Sequence, residues 1–287
     1  MQKIIVIGSK GMAGHVVKTY LEELGIYEVW GIARSADPHQ HSINMDVSDT
    51  KKLEEALSEI RFDVVINCIG LLNKTAEDNP EQAVWFNSYF PHFLAALGRK
   101  NGFKLIHIST DCVFSGKEGG YVENSLKNGI GFYAQSKALG EVINDKDLTF
   151  RTSIIGPELK LDGIGLFHWF MNQTGPISGY KEAYWTGVTT LELAKAIHEA
   201  IQQKLTGLYH LVNGEKIAKY DLLGIFNQVF RGGNIHIEAK SDYKVDKSLF
   251  NSREDFKYTV PSYQTMIHEM KSWMAQHSSF YPHYNYL

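Results

Sequence analysis

Only two cysteines and seven prolines occur in the 287 residues. Cys68 and Cys112 both fall at the ends of predicted strands. A disulfide between them would be unusual in a reducing compartment, so small buried fillers near a site is the expected role. The twelve histidines include no His-x-x-x-His pair, and no Cys-x-x-Cys occurs. His39-Gln40-His41 reads as an exposed loop, so no metal is expected. Lys and Arg total 29 against 32 Asp and Glu, a net charge of -3, which leaves no basic footprint for nucleic acid. The apolar run Ile4–Ile7 after Met1-Gln2-Lys3 is too short for a signal peptide or membrane span, so a cytoplasmic protein with no membrane partner is expected. Internal repeats and low-complexity segments are absent too.

What is present is an apolar fraction of 44%, enough for a sizeable core, in a chain longer than a typical single domain. Strand and helix patterns alternate from Lys3 to Ile155, predicting an α/β fold: a Rossmann-type doubly wound parallel sheet in residues 1–155, also drawing on part of 184–203. A smaller, partly interleaved α/β lobe is predicted over 156–287. In it, Leu166–Asn172, Thr189–Gln203, Tyr220–Arg231 and Ser262–His277 read as helices, and Gly207–Val212 and Ile235–Ala239 as strands. The aromatic tail from Phe280 to Leu287 is expected to lie on this lobe.

The first strand, Lys3–Ile7, runs into Gly8-Ser9-Lys10-Gly11-Met12-Ala13-Gly14 and then an amphipathic helix. Strand, glycine turn and helix put backbone N–H groups and a positive helix end where a pyrophosphate binds. The turn from Gly8 to Gly14, with Lys10, Gly11 and Met12 inside it, is therefore a candidate dinucleotide site. The second strand ends in Arg34-Ser35, where NAD sites place an acid for the ribose hydroxyls. A guanidinium and a hydroxyl there suit a 2′-phosphate, with Lys10 adding charge, so NADPH is favoured over NADH. Asp46 and Val47, which follow a short third strand, are candidate cofactor contacts, and Asp46 could meet an adenine amino group. Asp46, Ser48 or Asp49 could equally cap the next helix. The fourth strand, Val64–Ile69, carries Cys68 and Ile69 and opens at Gly70 into small and apolar residues suited to the inner ribose and nicotinamide.

The fifth strand, Lys104–Ser109, leads into Thr110-Asp111, and a helix from Tyr133 to about Ile143 follows. Tyr133 and Lys137 lie on one face of that helix, so the ammonium is expected beside the phenol, favouring its ionised form. Thr110, at the strand's C-terminal end, would offer a second hydroxyl to the same substrate oxygen. The sixth strand is predicted over Leu148–Ile155. Asn87, inside a predicted helix from Asn79-Pro80 to about Lys100, is expected on a wet face or bridging to a neighbouring strand.

Three segments, Gly8-x-x-Gly11-x-x-Gly14, Ser109-Thr110-Asp111-Cys112-Val113-Phe114-Ser115-Gly116 and Tyr133-Ala134-Gln135-Ser136-Lys137-Ala138-Leu139-Gly140-Glu141, resemble the extended short-chain dehydrogenase/reductases. The nearest group among them is the dTDP-4-dehydrorhamnose reductases. The resemblance covers the first 155 residues well. It implies a Thr110, Tyr133, Lys137 triad, NADPH as reductant with Ser109 and Lys137 near the nicotinamide ribose, and reduction of the 4-keto group of a nucleotide-linked sugar for surface polysaccharide synthesis. Leu71, Asp111 and Cys112 would then meet the sugar, and a homodimer is a possible assembly. Ile154 stands where such reductases carry a tryptophan, implying a different sugar, and Ala134 replaces a usual glycine. The relatives also include epimerases, dehydratases and noncatalytic dinucleotide-binding subunits, which remain alternatives.

Overall fold

A computed structural model describes residues 1–35 and 41–284. His39 and Gln40 of the predicted loop, and the end of the aromatic tail, lie outside the described residues. The elements in order are β1 (Gln2–Ile7), α1 (Met12–Glu23), β2 (Tyr27–Ala33), β3 (Ser42–Asn44), α2 (Thr50–Ile60), β4 (Val64–Asn67), α3 (Asn73–Asp78) and α4 (Pro80–Ala83). A π-helical turn, Val84–Tyr89, joins α4 to α5 (Phe90–Asn101), followed by β5 (Lys104–Ser109), α6 (Phe132–Leu139), β6 (Leu148–Arg151) and β7 (Ile154–Ile155). The chain continues through α7 (Leu166–Met171), β8 (Ile177–Trp185), β9 (Val188–Thr189), α8 (Thr190–Gln202), β10 (Gly207–His210), β11 (Ile217–Ala218), α9 (Lys219–Arg231), β12 (Ile237–Asp246) and α10 (Tyr263–Gln276).

The main sheet has seven strands in the order β3-β2-β1-β4-β5-β6-β10, and every pair in it is parallel. Parallel strands are covered on both faces, which is why β1 and β4 are nearly continuous apolar runs. Side chains alternate across a strand, so Ile4 and Val6 enter one core with α1 and α8, while Ile5 and Ile7 enter the other with α2 and α5. The strand order reverses between β1 and β4, and the carboxyl ends of β1, β4 and β5 open there into one crevice.

A second sheet, β11-β8-β12, and the pair β7-β9 complete the fold. The sequence pattern missed β8, whose centre reads Tyr180-Lys181-Glu182 and breaks an apolar alternation. Its strand character comes from pairing with both β11 and β12. The last strand is also longer than predicted, reaching Asp246 rather than Ala239.

The predicted sixth strand divides. After Arg151 the chain leaves the main sheet, Thr152 Oγ1 donates to the Leu211 carbonyl, and Ile154–Ile155 pairs with β9 instead. Helix α6 also ends earlier than predicted, at Leu139 rather than about Ile143. There Gly140 lies so close to the π-helical turn that a β-carbon would come within 1.7 Å of the Asn87 carbonyl oxygen. The described part of the aromatic tail does not rest on the second lobe alone, because Tyr281 reaches His15 in α1. Among the described residues no helix is long and apolar enough to cross a membrane.

Candidate active site

The crevice at the strand reversal is a cleft of about 640 Å³. Its floor is the glycine turn. Gly8 has φ +83°, and a β-carbon on Gly14 would lie 2.1 Å from the Gly8 carbonyl oxygen, so side chains are excluded from both positions. Gly11 is the N-cap of α1 and supplies no side-chain cap, leaving the N–H groups of the first turn and the positive helix end for an anion. That donor set fits a dinucleotide pyrophosphate. Lys10, Gly11 and Met12 line the cleft, as do Cys68, Ile69 and Gly70 from the end of β4.

Arg34 and Ser35 are exposed at the end of β2, outside the cleft lining. Asp46 is engaged locally: its carboxylate accepts from the backbone N–H and hydroxyl of Ser48 at 2.9 and 2.7 Å. The helix cap is Asp49, which accepts from the Lys52 N–H. Val47, predicted beside a cofactor, instead turns its side chain into the hydrophobic core at 4% exposure.

Ser109, Thr110, Asp111, Cys112, Tyr133, Lys137 and Ile154 all line the cleft. Thr110 Oγ1 donates to Asp111 Oδ1 at 3.1 Å, and Ser153 Oγ donates to the same oxygen at 3.0 Å. Tyr133 and Thr110 line the cleft together, and the Thr110 hydroxyl is near enough to favour the ionised phenol. Burial raises the phenol well above its ordinary range, reinforced by Cys112 and Asp111 and opposed by Thr110. Ser109 Oγ donates away from the cleft to Glu141 at 2.8 Å. Burial pushes the thiols of Cys68 and Cys112 up to about 12 and about 11, which leaves them neutral fillers.

Lys137 departs from expectation. Its Nζ donates to the Ile108 carbonyl at 2.7 Å and lies 3.5 Å from His107 Nε2, with no bond to Tyr133. The ammonium is held by a backbone acceptor rather than by the phenol, and enclosure is the largest influence on the tyrosine. Burial also pulls Lys137 down to about 8.

Leu71 is the other displaced candidate. Asn87, fully buried in the π-helical turn, accepts from the Leu71 N–H at 2.8 Å and donates to its carbonyl at 3.0 Å. The neighbouring Leu72 and Asn73 reach the cleft in its place. Asn73 turns the chain there with φ 39°, a left-handed conformation asparagine tolerates. Asn87 also donates to Ser136 in α6 at 3.1 Å, so one amide ties the loop after β4 to the helix carrying Tyr133 and Lys137.

The cleft has a second wall that the sequence did not reveal. Glu158, Lys160, Tyr184, Lys219, Tyr243 and Lys247 line it. They come from the loop after β7, from the unpredicted β8, from the start of α9, from the unpredicted half of β12 and from the residue after it, so no motif spacing joined them. With Lys10 and Lys137, five lysines face two carboxylates, Asp111 and Glu158.

The family described as RmlD substrate binding domain matches residues 1–233. The protein named Probable low-salt glycan biosynthesis reductase Agl14, of Haloferax volcanii, is 35% identical over 267 residues, covering 86% of this chain and 87% of that protein. The dTDP-4-dehydrorhamnose reductase of Salmonella typhimurium is 26% identical over 243 residues, 80% of this chain and 79% of that one. The crystal structure of the Bacillus anthracis dTDP-4-dehydrorhamnose reductase in complex with NADP shares the fold, with TM-score 0.81, 20% identity, and coverage of 95% of this chain and 99% of that one.

Proposed function

The chain belongs to the RmlD substrate binding domain family, and from that membership we propose that it catalyses NADPH-dependent reduction of the 4-keto group of a nucleotide-linked deoxy sugar, a step in making a glycan precursor. The observation that carries this reading is that Thr110, Tyr133 and Lys137 line one cleft with the glycine turn. A ketone being reduced accumulates negative charge on its oxygen and needs donors aimed at it.

Reduction calls for a proton donor, and enclosure keeps Tyr133 protonated at neutral pH. Tyr133 gives the carbonyl oxygen its proton while Thr110 polarises the same oxygen. The hydride comes from bound NADPH. Lys137, anchored on the Ile108 carbonyl, turns its remaining donors toward the cofactor ribose. Its positive charge favours the tyrosinate left after proton transfer.

Gly8, Gly11 and Gly14 leave the floor open for the pyrophosphate, with Lys10 and Met12 at its edge. Cys68, Ile69, Gly70 and Ser109 border the nicotinamide end. Arg34 and Ser35, with no acid beside them in sequence, suit a 2′-phosphate and favour NADPH. Residues 1–155 with α8 and β10 hold the dinucleotide, and the rest of 156–287 covers the sugar nucleotide. On that side Lys160, Lys219 and Lys247 supply charge for a diphosphate, Tyr184 and Tyr243 offer ring faces, and Asp111, Cys112 and Ile154 border the sugar.

The test is optical: oxidation of NADPH and of NADH with a panel of dTDP- and UDP-linked 4-keto-6-deoxy sugars. NADPH consumption with one of them is the expected result. Silence across the panel while NADPH still binds would overturn the reductase reading in favour of an epimerase or a binding subunit.

A further inference from the structure

The glycine turn and the 158–166 loop face each other across the cleft, and both are fastened to one short stretch near the end of the chain. Tyr281 and Tyr284 are 1% and 4% exposed, their rings sunk in the main core. Ring burial alone would be served equally by phenylalanine. What phenylalanine lacks is the hydroxyl, and each hydroxyl ends on a different wall.

Tyr281 Oη lies 2.8 Å from His15 Nε2, and His15 Nδ1 lies 2.8 Å from the Gly11 carbonyl oxygen. A carbonyl can only accept, so Nδ1 carries the imidazole hydrogen and Nε2 accepts from the phenol. Burial lowers His15 to about 4, which keeps the ring neutral and this arrangement intact at ordinary pH. The phenol thus fixes the ring that holds the carbonyl of the α1 N-cap.

The second connection has the same logic. Tyr284 Oη lies 2.7 Å from His168 Nδ1 and accepts from the Glu158 N–H at 3.1 Å, while His168 Nε2 lies 3.2 Å from the Leu161 carbonyl. The Leu161 carbonyl can only accept, so Nε2 donates to it and Nδ1 accepts from the Tyr284 hydroxyl. The loop is closed by Glu158 Oε1, which accepts from the Gly165 N–H at 2.7 Å. Glu158 and Gly165 line the cleft opposite Met12, and a β-carbon on Gly165 would sit 3.1 Å from the Met12 sulfur.

We propose that Tyr281 and Tyr284 are positioning residues that set the two walls separately, Tyr281 the dinucleotide turn through His15 and Tyr284 the sugar-nucleotide loop directly and through His168. The inference rests on the reading of this cleft as the site of a dinucleotide and a nucleotide-linked sugar.

The experiment compares Tyr281→Phe with Tyr284→Phe by NADPH titration, by KM and kcat, and by amide hydrogen exchange. In Tyr281→Phe, losing one hydrogen bond weakens NADPH binding about fivefold and speeds exchange in residues 11–16, with kcat at saturation held. In Tyr284→Phe, NADPH binding is held, the sugar-nucleotide KM rises about fivefold, and exchange quickens in residues 158–165. His15→Ala reproduces Tyr281→Phe, and the two together add nothing further, because both cut one connection. Variants that match the parent in all three readouts, or that weaken both ligands alike, overturn the proposal. Exchange and NADPH titration need no turnover, so failure of every sugar would count against the proposed reaction while these two readouts still decide this inference.

Discussion

Lys137 donates to the carbonyl of Ile108 at 2.7 Å and makes no bond to Tyr133, its neighbour one helical turn away. The consequence is a division of labour. The lysine is held at the edge of the sheet, and the tyrosine stays a protonated phenol beside Thr110.

That placement sets a pH dependence. Burial, opposed by Glu141 and Cys68, lowers Lys137 to about 8, so the ammonium is lost as pH rises through that value. Turnover with NADPH should fall above about pH 8, and Lys137→Arg should move the fall to higher pH because a guanidinium keeps its proton. A pH–rate profile with the same descending limb in both proteins would refute the assignment.

Tyr133→Phe should lower kcat by about 10²–10⁴-fold, the range for loss of a positioned acid, while NADPH binds as before. Titration of the variant with NADPH separates the outcomes, since loss of binding would make Tyr133 structural.

Beneath the site, Arg151 and Glu141 pair through two hydrogen bonds of 2.7 Å with both side chains buried. Burial opposes ionisation of Glu141, but Arg151, Lys127 and Ser109 outweigh it and hold the carboxyl below its usual range. Glu141→Gln leaves a guanidinium buried without its counter-charge and should cost about 3–5 kcal/mol in urea unfolding. A smaller cost for the double variant Glu141→Leu, Arg151→Met than for the single one would show that the charge left behind is the penalty.

Gly140→Ala would drive a methyl into the Asn87 carbonyl oxygen 1.7 Å away. Helix α6 and the π-helical turn must then separate, at about 1–3 kcal/mol. Because Asn87 also holds Leu71, amide exchange should quicken in residues 70–73 as well as in α6. Quickening confined to α6 would remove Asn87 from that role.

His15 and His210 are both lowered to about 4, chiefly by burial, with Arg151 adding to the effect on His210. The unfolded chain binds these protons near pH 6.5 and the folded chain only near 4. Stability is therefore full above about 6.5 and declines as pH falls toward 4, by roughly 3 kcal/mol for His15 and in the same direction for His210. Urea midpoints across that window should fall, and less steeply for His15→Gln.

The alternating apolar runs, the glycine turn and the Tyr-x-x-x-Lys spacing were enough to read the parallel sheet, its crevice and the residues converging there. Those are local signals: a period of two for strands, side chains excluded beside a turn, one face of one helix. The contacts between distant segments were not legible. Val47 faces the core, Leu71 is held by Asn87, Lys137 answers to Ile108, and the tyrosines of the opposite wall, Tyr184 and Tyr243, come from β8 and β12, whose strand character depends on pairing. Tyr281 and His15 stand at opposite ends of the chain, and no local pattern joins them. The sequence by itself determined most of the chemical groups on the sheet side of the cleft; the tertiary structure decided the opposite wall and which atoms each group touches, because hydrogen-bond partners and burial are properties of neighbours in space.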